Sequence, residues 1–473
     1  MDPEKAKRRQ SLKILISESI MVLAVILTVT ILAFIVSGYW LNSDFKVERQ
    51  GLLQISSIPT GADVSIDGES AWLQRTNTSK VLSSGEHTIT LTKEGYDSWS
   101  KTVNISEGLL YRIHYPRLFP QNRSAEDILD ASGTTLSTVS PDHNSLLLIN
   151  DTTEWKLINL NNETIKPQEI DISKIFSSIS LADSAKIGLF TGKILDIDWD
   201  YNGTHALFKV QGNNSNTEWV LLDIKNPTNS INLTREFGSN FSEIQILDND
   251  SNNLLAVQNN NLHKINVSGR SLSAVLIENI INFDHYGDNE IIFSAQNVSE
   301  SSSAGPYYVG LLKIGENKTT VLKETTTPAK VTLSKFYDDK YITVLEENLV
   351  SLYQKENDFK LLYTFELTFN PSIIEVGHSG EFITMLLDNQ IATLDMEAMS
   401  IIEWQATGNT FGWIDNDMIY SVADNELTVY DYDGLNRRTI ANNVSSHFPA
   451  AITNNKWLYY FSDDSLIRET ITD

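Results

Sequence analysis

The chain of 473 residues contains no cysteine. Disulfides, zinc–thiolate centres and cysteine nucleophiles are therefore excluded, and any fold must be held by its apolar core. Basic side chains are scarce. Against 61 Asp and Glu stand 36 Lys and Arg, a formal charge of −25. Five of those bases crowd into the opening MDPEKAKRRQSLK, which leaves the rest of the chain slightly more acidic still. Such a surface repels nucleic acid and anionic lipid, and no nucleic-acid partner is expected. The eight histidines form no HExxH pair.

Long apolar runs are missing as well, with one exception. Residues 19–40, SIMVLAVILTVTILAFIVSGYW, carry no charge. As a helix they reach roughly 33 Å, against a hydrocarbon core of ~30 Å. The run predicts a single transmembrane helix that makes the lipid bilayer a partner through residues 19–40. Lys5, Lys7, Arg8, Arg9 and Lys13 precede it. Their bias keeps a basic tail, residues 1–18, in the cytoplasm and sends everything C-terminal outside the cell. A cleaved signal peptide would have a shorter core and a small-x-small site. This run ends in Ser37-Gly38-Tyr39-Trp40 instead.

Residues 51–118 read as short strands. GLLQISSI stops at Pro59. ADVSID alternates through Ala62, Val64 and Ile66 and ends at Asp67-Gly68, a hairpin signal. EHTITLT places His87, Ile89 and Leu91 on one face, and WSKTVNI alternates through Trp99, Val103 and Ile105. Period-2 patterning with frequent turns predicts a small β-sandwich. His87 and His114 have no close His/Asp pairing visible in the sequence, so a metal role is not expected.

This segment resembles the PEGA family. The resemblance rests on Gly51, Pro59-Thr60-Gly61-Ala62, Asp67-Gly68, Gly85-Glu86-His87 and Gly95-Tyr96, in that order. It departs from the family at Gln74-Arg75-Thr76-Asn77, where a Gly-x-Thr-Pro stretch is usual. The resemblance implies a non-catalytic β-sandwich of the kind common in cell-surface and envelope proteins.

Pro116 and Pro120 mark a boundary. Residues 119–136 read as a linker that includes, near 125–135, a strand able to close a ring. Residues 137–473 then repeat. VSPDHNSLLLI from 139, WDYNGTHALFKV from 199, DNDSNNLLAV from 248, DHYGDNEIIF from 284, YDDKYITVL from 337, GHSGEFITML from 377, DNDMIYSV from 415 and TNNKWLYYF from 453 share one turn-and-strand pattern. The last three intervals are close to 40 residues, the spacing of four-stranded propeller blades. Longer early intervals point to insertions at residues 171–189 and 212–217. Two units resemble the WD40-like repeats of the TolB type, through VSPD at 139–142 and LTVYDYDGLNRRTI at 427–440, with Trp199-Asp200-Tyr201-Asn202-Gly203 a looser variant.

Three motifs fail on close reading. Asp198–Gly203 matches the first half of a calcium loop, but Lys209 stands where the bidentate Glu belongs. Gly377-His378-Ser379-Gly380-Glu381 lacks the last glycine of a nucleophile elbow. Residues 188–194, GLFTGKI, are two short of a phosphate loop and lack its Ser or Thr. No catalytic, cofactor or metal residue is therefore assigned, and the remaining histidines, 143, 205, 263, 285, 378 and 447, read as scattered.

The expected molecule is an all-β ectodomain, a small β-sandwich plus a seven- or eight-bladed β-propeller, on a single N-terminal transmembrane α-helix. The expected role is a non-enzymatic, cofactor-free binding or scaffold protein of the cell envelope, recognising a protein or cell-wall polymer through propeller loops. Rival roles are an extracytoplasmic hydrolase or lyase acting on glycans, with carboxylates converging in the channel, and a sensor subunit signalling through a membrane partner.

Overall fold

The computed structural model describes residues 3–36, 39–41, 47–177, 180–181, 189–212, 215–247, 250–287, 289–297, 305–316, 318–355, 359–408, 410–445 and 449–472. The chain divides into two compact units, residues 1–121 and 122–473.

The first unit opens with helix α1, Pro3–Val36. It starts well before the apolar run because Lys, Arg, Gln and Leu all favour helix. It also stops short of the expected end, since Tyr39–Leu41 forms strand β1. The helix expected over 19–40 is corrected at both ends. The described side chains of α1 are Ile16 and those of residues 18–34, and all are exposed. Among the described residues no helix is long and apolar enough to cross a membrane.

Seven further strands follow: β2 (Val47–Ile55), β3 (Asp63–Ile66), β4 (Glu69–Arg75), β5 (Thr78–Ser83), β6 (Gly85–Thr92), β7 (Trp99–Ile105) and β8 (Leu110–Ile113). One sheet runs β1-β2-β5 with β8 also on β2, and the other runs β4-β3-β6-β7. The core lies between them. Leu53, Ile55, Val64, Ile66, Ile89, Leu91, Trp99, Val103 and Ile105 are all buried, as alternation requires. The loop that lacks the usual proline is pinned by a buried threonine. Thr76 Oγ1 accepts the Ala62 amide at 3.0 Å and the Ser57 hydroxyl at 2.8 Å.

His87 corrects the sequence reading. Its Nδ1 lies 2.7 Å from Asp67 Oδ2, because β3 pairs with β6 and brings the Asp-Gly turn beside the histidine. Asp67 Oδ1 accepts the Thr88 amide at 2.8 Å. The His87 contact, then the Thr88 amide, hold the Asp67 carboxyl below its usual range. Both residues serve the hairpin.

Among the described residues the second unit is built from eight four-stranded antiparallel sheets. Seven are consecutive meanders, spanning residues 134–171, 193–232, 243–272, 280–325, 329–366, 373–405 and 410–442. The eighth takes three strands from residues 451–470 and its outer strand from β9 (Ala125–Asp130), which pairs with the last strand of the chain. That pairing closes a ring and removes an open edge. Neighbouring sheets share apolar clusters, such as Trp155, Phe176, Phe190 and Phe208 between blades 1 and 2. First strands are also linked from blade to blade. Trp199 Nε1 donates to Thr138 Oγ1 at 2.9 Å, and Ile452 N donates to Ile414 O at 2.8 Å. These sheets are the blades of a β-propeller, with first strands innermost. The open question of seven or eight blades resolves to eight.

The early insertions fall partly outside the described residues, at 178–179, 182–188 and 213–214. One element was not foreseen. Helix α2 (Leu233–Phe237) is capped by Asn232, whose Oδ1 accepts the Arg235 amide at 2.9 Å. Asn232 opens an Asn-Leu-Thr triplet, the acceptor pattern for N-linked glycans, but at 1% exposed it is no accessible acceptor in the folded protein. Asn317, in another such triplet, lies outside the described residues.

Candidate functional site in the propeller channel

Three adjacent first strands line a cavity of about 660 Å³. They are Lys193–Trp199 of blade 2, Glu243–Leu247 of blade 3 and Ile280–Tyr286 of blade 4. Alternation explains what they present. Ile197 packs on the core between blades 1 and 2, so Asp196 and Asp198 on either side of it face the cavity. Glu243 and Asp284 come from the next two blades. Lys209 and Trp219 enter from the second and third strands of blade 2.

Four carboxyls thus share one hollow, and two of them, Asp198 and Glu243, are raised there. Asp198 is open to cavity water but walled by protein beyond it. That surrounding protein, then the Asp196 charge, push its carboxyl up to about 7, with His285 opposing. Glu243 is also raised, chiefly by burial, against a hydrogen bond from Gln245 and the Lys209 charge. Lys209 is partly engaged elsewhere. Its Nζ donates to Ser242 O at 2.8 Å and sits 5.1 Å from the centre of the Trp219 ring. Asp284 has a structural task. Its Oδ2 accepts the Leu333 amide at 2.9 Å and the Thr332 hydroxyl, tying blade 4 to blade 5. Asp196, Asp198 and Glu243 remain as the groups best placed to meet a ligand.

One end of the channel is bridged by two aromatic rings. Tyr201, in the first turn of blade 2, stacks on His378, in the first turn of blade 6, with ring centres 4.7 Å apart and 17° between planes. Blades 2 and 6 stand opposite each other in a ring of eight, so the pair spans the axis. The same turns touch their neighbours. Gly203 takes φ +62°, and a Cβ there would lie 2.9 Å from the Ser140 Cβ of blade 1. Gly380 takes φ +74°, and a Cβ there would overlap the Lys335 carbonyl of blade 5. Burial holds the imidazole of His378 below its ordinary pKa, with Asp142 opposing. A neutral ring suits stacking on a phenol.

The residues weighed from sequence are placed as follows. Asp200 belongs to the turn: its Oδ1 accepts the Thr204 and His205 amides at 2.6 and 2.8 Å. Burial works to raise its pKa, but hydrogen bonds led by His205 outweigh that and hold it low. Residues 377–381 form the first turn of blade 6 and carry His378 to the axis. Gly188 and His447 lie outside the described residues, while Lys193 and Ile194 open the first strand of blade 2. The histidines are less scattered than they read. His143 and His378 meet at the bridged end, where burial above all, and then the His378 charge, hold the His143 imidazole below its ordinary pKa against Asp415, and His285 lines the cavity. The carboxylate convergence left no signal beyond the alternation of DIDWD, because strands from three blades supply it.

Residues 50–117 match the PEGA domain family, so the first unit carries a PEGA domain. The chain as a whole pairs that domain with an eight-bladed β-propeller. No curated protein matches the chain. Among solved structures it is similar to the C-terminal WD40 domain of Sif2, at 12% identity and TM-score 0.48, covering 74% of this chain and 99% of that one. It is also similar to the β-propeller domain of Cps50 (Swd1) from Myceliophteria thermophila, at 7% identity and TM-score 0.41, covering 74% and 100%. The computationally designed Ika8 protein matches at 9% identity and TM-score 0.43, covering 73% and 99%. Nothing is carried over from likenesses this distant, and the propeller assignment stands on the eight sheets and their closure.

Proposed function

We propose that this protein is a membrane-anchored binding protein of the cell envelope, held outside the cytoplasm, that recognises a protein or wall polymer through its propeller. Support for the anchor comes from the uncharged run at residues 19–40, the basic residues before it and the exposed apolar side chains of α1, among them Ile20, Met21 and Leu23. Envelope location draws on the PEGA domain. The observation that carries the binding role is the open, acidic cavity of about 660 Å³ in the channel. A cavity of that size takes a side-chain cluster or a small polymer segment, and its sign favours a cationic or amine-bearing group.

Crosslinking on intact cells with the tagged full-length chain tests this. A defined partner should be recovered with the wild type and lost with the Asp198→Asn, Glu243→Gln double variant. Recovery that the double variant leaves unchanged would place binding elsewhere on the ring. One observation favours the second reading, a hydrolase or lyase. Asp198, raised to about 7 beside Asp196, has the character of a general acid. Glycan turnover abolished by Asp198→Asn alone would support that reading over simple recognition.

A further inference from the structure

We propose that the outer face of the β5–β2–β8 sheet lies on the lipid surface that α1 enters, so that the PEGA domain rests on the membrane instead of standing off it. This rests on the anchored reading above.

Leu52 in β2 is paired with Val81 in β5 on one side and with Leu110 in β8 on the other. The three form one row across the sheet. They are 38%, 53% and 38% exposed, and Leu109 beside them is 63% exposed. The opposite face of the same strands already fills the core with Leu53, Ile55, Leu82 and Ile113. A sheet of a small soluble domain ordinarily turns polar side chains outward. This one is apolar on both faces at that row.

Charge and chain path say what covers it. Among the positions whose side chains are described, the others that face outward on these strands are Gln50, Gln54, Ser79, Ser83 and Arg112, none of them acidic, while Glu48 at the start of β2 has the same parity. Residues 51–121 hold seven acidic and six basic side chains, whereas residues 122–473 hold 49 and 23. An anionic bilayer repels the second unit and tolerates the first. An arginine stem beside an apolar row suits the boundary, its chain in the apolar layer and its head among phosphates. Path points the same way. β1, which follows α1, pairs with the near end of β2, Tyr39 opposite Arg49. Leu52 lies three residues further on, ~10 Å along the strand. The headgroup layer of one leaflet is about 5–7 Å thick. The apolar row therefore lies just beyond one headgroup layer along β2, and it meets the lipid when the strands incline and the sheet face lies down on the surface that α1 leaves.

The chain has no cysteine, so a single introduced one carries a unique nitroxide label. Val81→Cys, Leu110→Cys, Thr102→Cys on the outward side of β7, and Val25→Cys in α1 are each made in the full-length protein. The labelled proteins are reconstituted in phosphatidylcholine–phosphatidylglycerol vesicles. Labels at 81 and 110 should collide with oxygen and lose contact with a water-soluble nickel chelate, while the label at 102 keeps nickel contact. An embedded label at 25 with nickel-accessible labels at 81 and 110 would overturn the lipid contact and leave the anchor intact. A nickel-accessible label at 25 would overturn the anchor itself. Labels at 81 and 110 shielded from both reagents would mean that protein, a second copy or a partner, covers the row, and would also overturn the proposal.

Discussion

Among the described carboxyls, Asp198 is moved furthest from its ordinary pKa. An unfolded chain would titrate it near 3.9. The channel lifts it to about 7. Between those values the folded protein holds a proton that the unfolded chain has lost. The stabilisation this brings is complete below the unfolded pKa and disappears as pH rises through the folded one. Carboxyls held low, such as Asp67 and Asp171, finish titrating below that window. Asp198 should therefore make propeller stability, measured by urea unfolding, fall between about pH 4 and pH 7 against the opposite slope of the lowered His143 and His378 imidazoles, and the difference between wild type and Asp198→Asn isolates that fall. An unchanged slope in the variant would mean that the carboxyl is ordinary. Little of this site was visible in the sequence. The pattern DIDWD shows alternation but not which face meets the axis. Nothing local to Glu243 or Asp284 says that they approach Asp196 and Asp198, because ring curvature alone brings three blades together. Tyr201 and His378 are likewise joined only by the geometry of opposite blades.

At the scale of elements the sequence was far more legible. Each blade repeats a turn followed by a second strand with a largely apolar run, buried on both faces between neighbours, and such runs survive even where motifs decay. LLLI of blade 1, IIFSA of blade 4 and LYYF of blade 8 show it. The closing strand was also readable, since the last unit has only three strands and residues 125–130 lie just before the first. Elements set by tertiary context were missed. β1 is three residues long, β4 and β5 flank an atypical loop, and α2 is one turn under a buried cap. Closure is also where a single ion pair matters. Arg123 Nε lies 2.6 Å from Glu469 Oε1, and its Nη2 donates to Ile440 O at 3.0 Å, joining the chain entry to blades 7 and 8. Both side chains are largely buried, at 17% and 6% exposed. Arg123→Ala leaves a buried carboxylate facing an orphaned carbonyl and should cost about 3 kcal/mol. The exposed pair Arg270–Glu236 should cost roughly 0.5 kcal/mol or less when Arg270 is removed. Hydrogen exchange should show β9 and the strand it pairs with losing protection first in Arg123→Ala. Uniform loss across all eight blades would mean that closure is held by the strand pairing alone.

Across the whole molecule, charge separates the two units as sharply as topology does. The propeller carries 49 acidic against 23 basic side chains, while residues 51–121 are nearly balanced. A ring with that excess repels itself, and its ion pairs, such as Lys340 and Lys355 on Glu290, neutralise only part of it. Screening changes this over a known range: the Debye length is about 30 Å at 0.01 M salt and about 8 Å at 0.15 M. Repulsion across a ring is therefore felt in full at low salt and mostly removed at physiological salt. Calorimetry of the full-length protein in detergent should show two transitions. The propeller transition should rise in temperature between those salt concentrations, while that of the small domain should barely move. Equal shifts in both would mean that the propeller's excess is already neutralised within its own surface. The same charge that destabilises the ring concentrates cations at its channel, so a cationic ligand should also bind more slowly as salt is added.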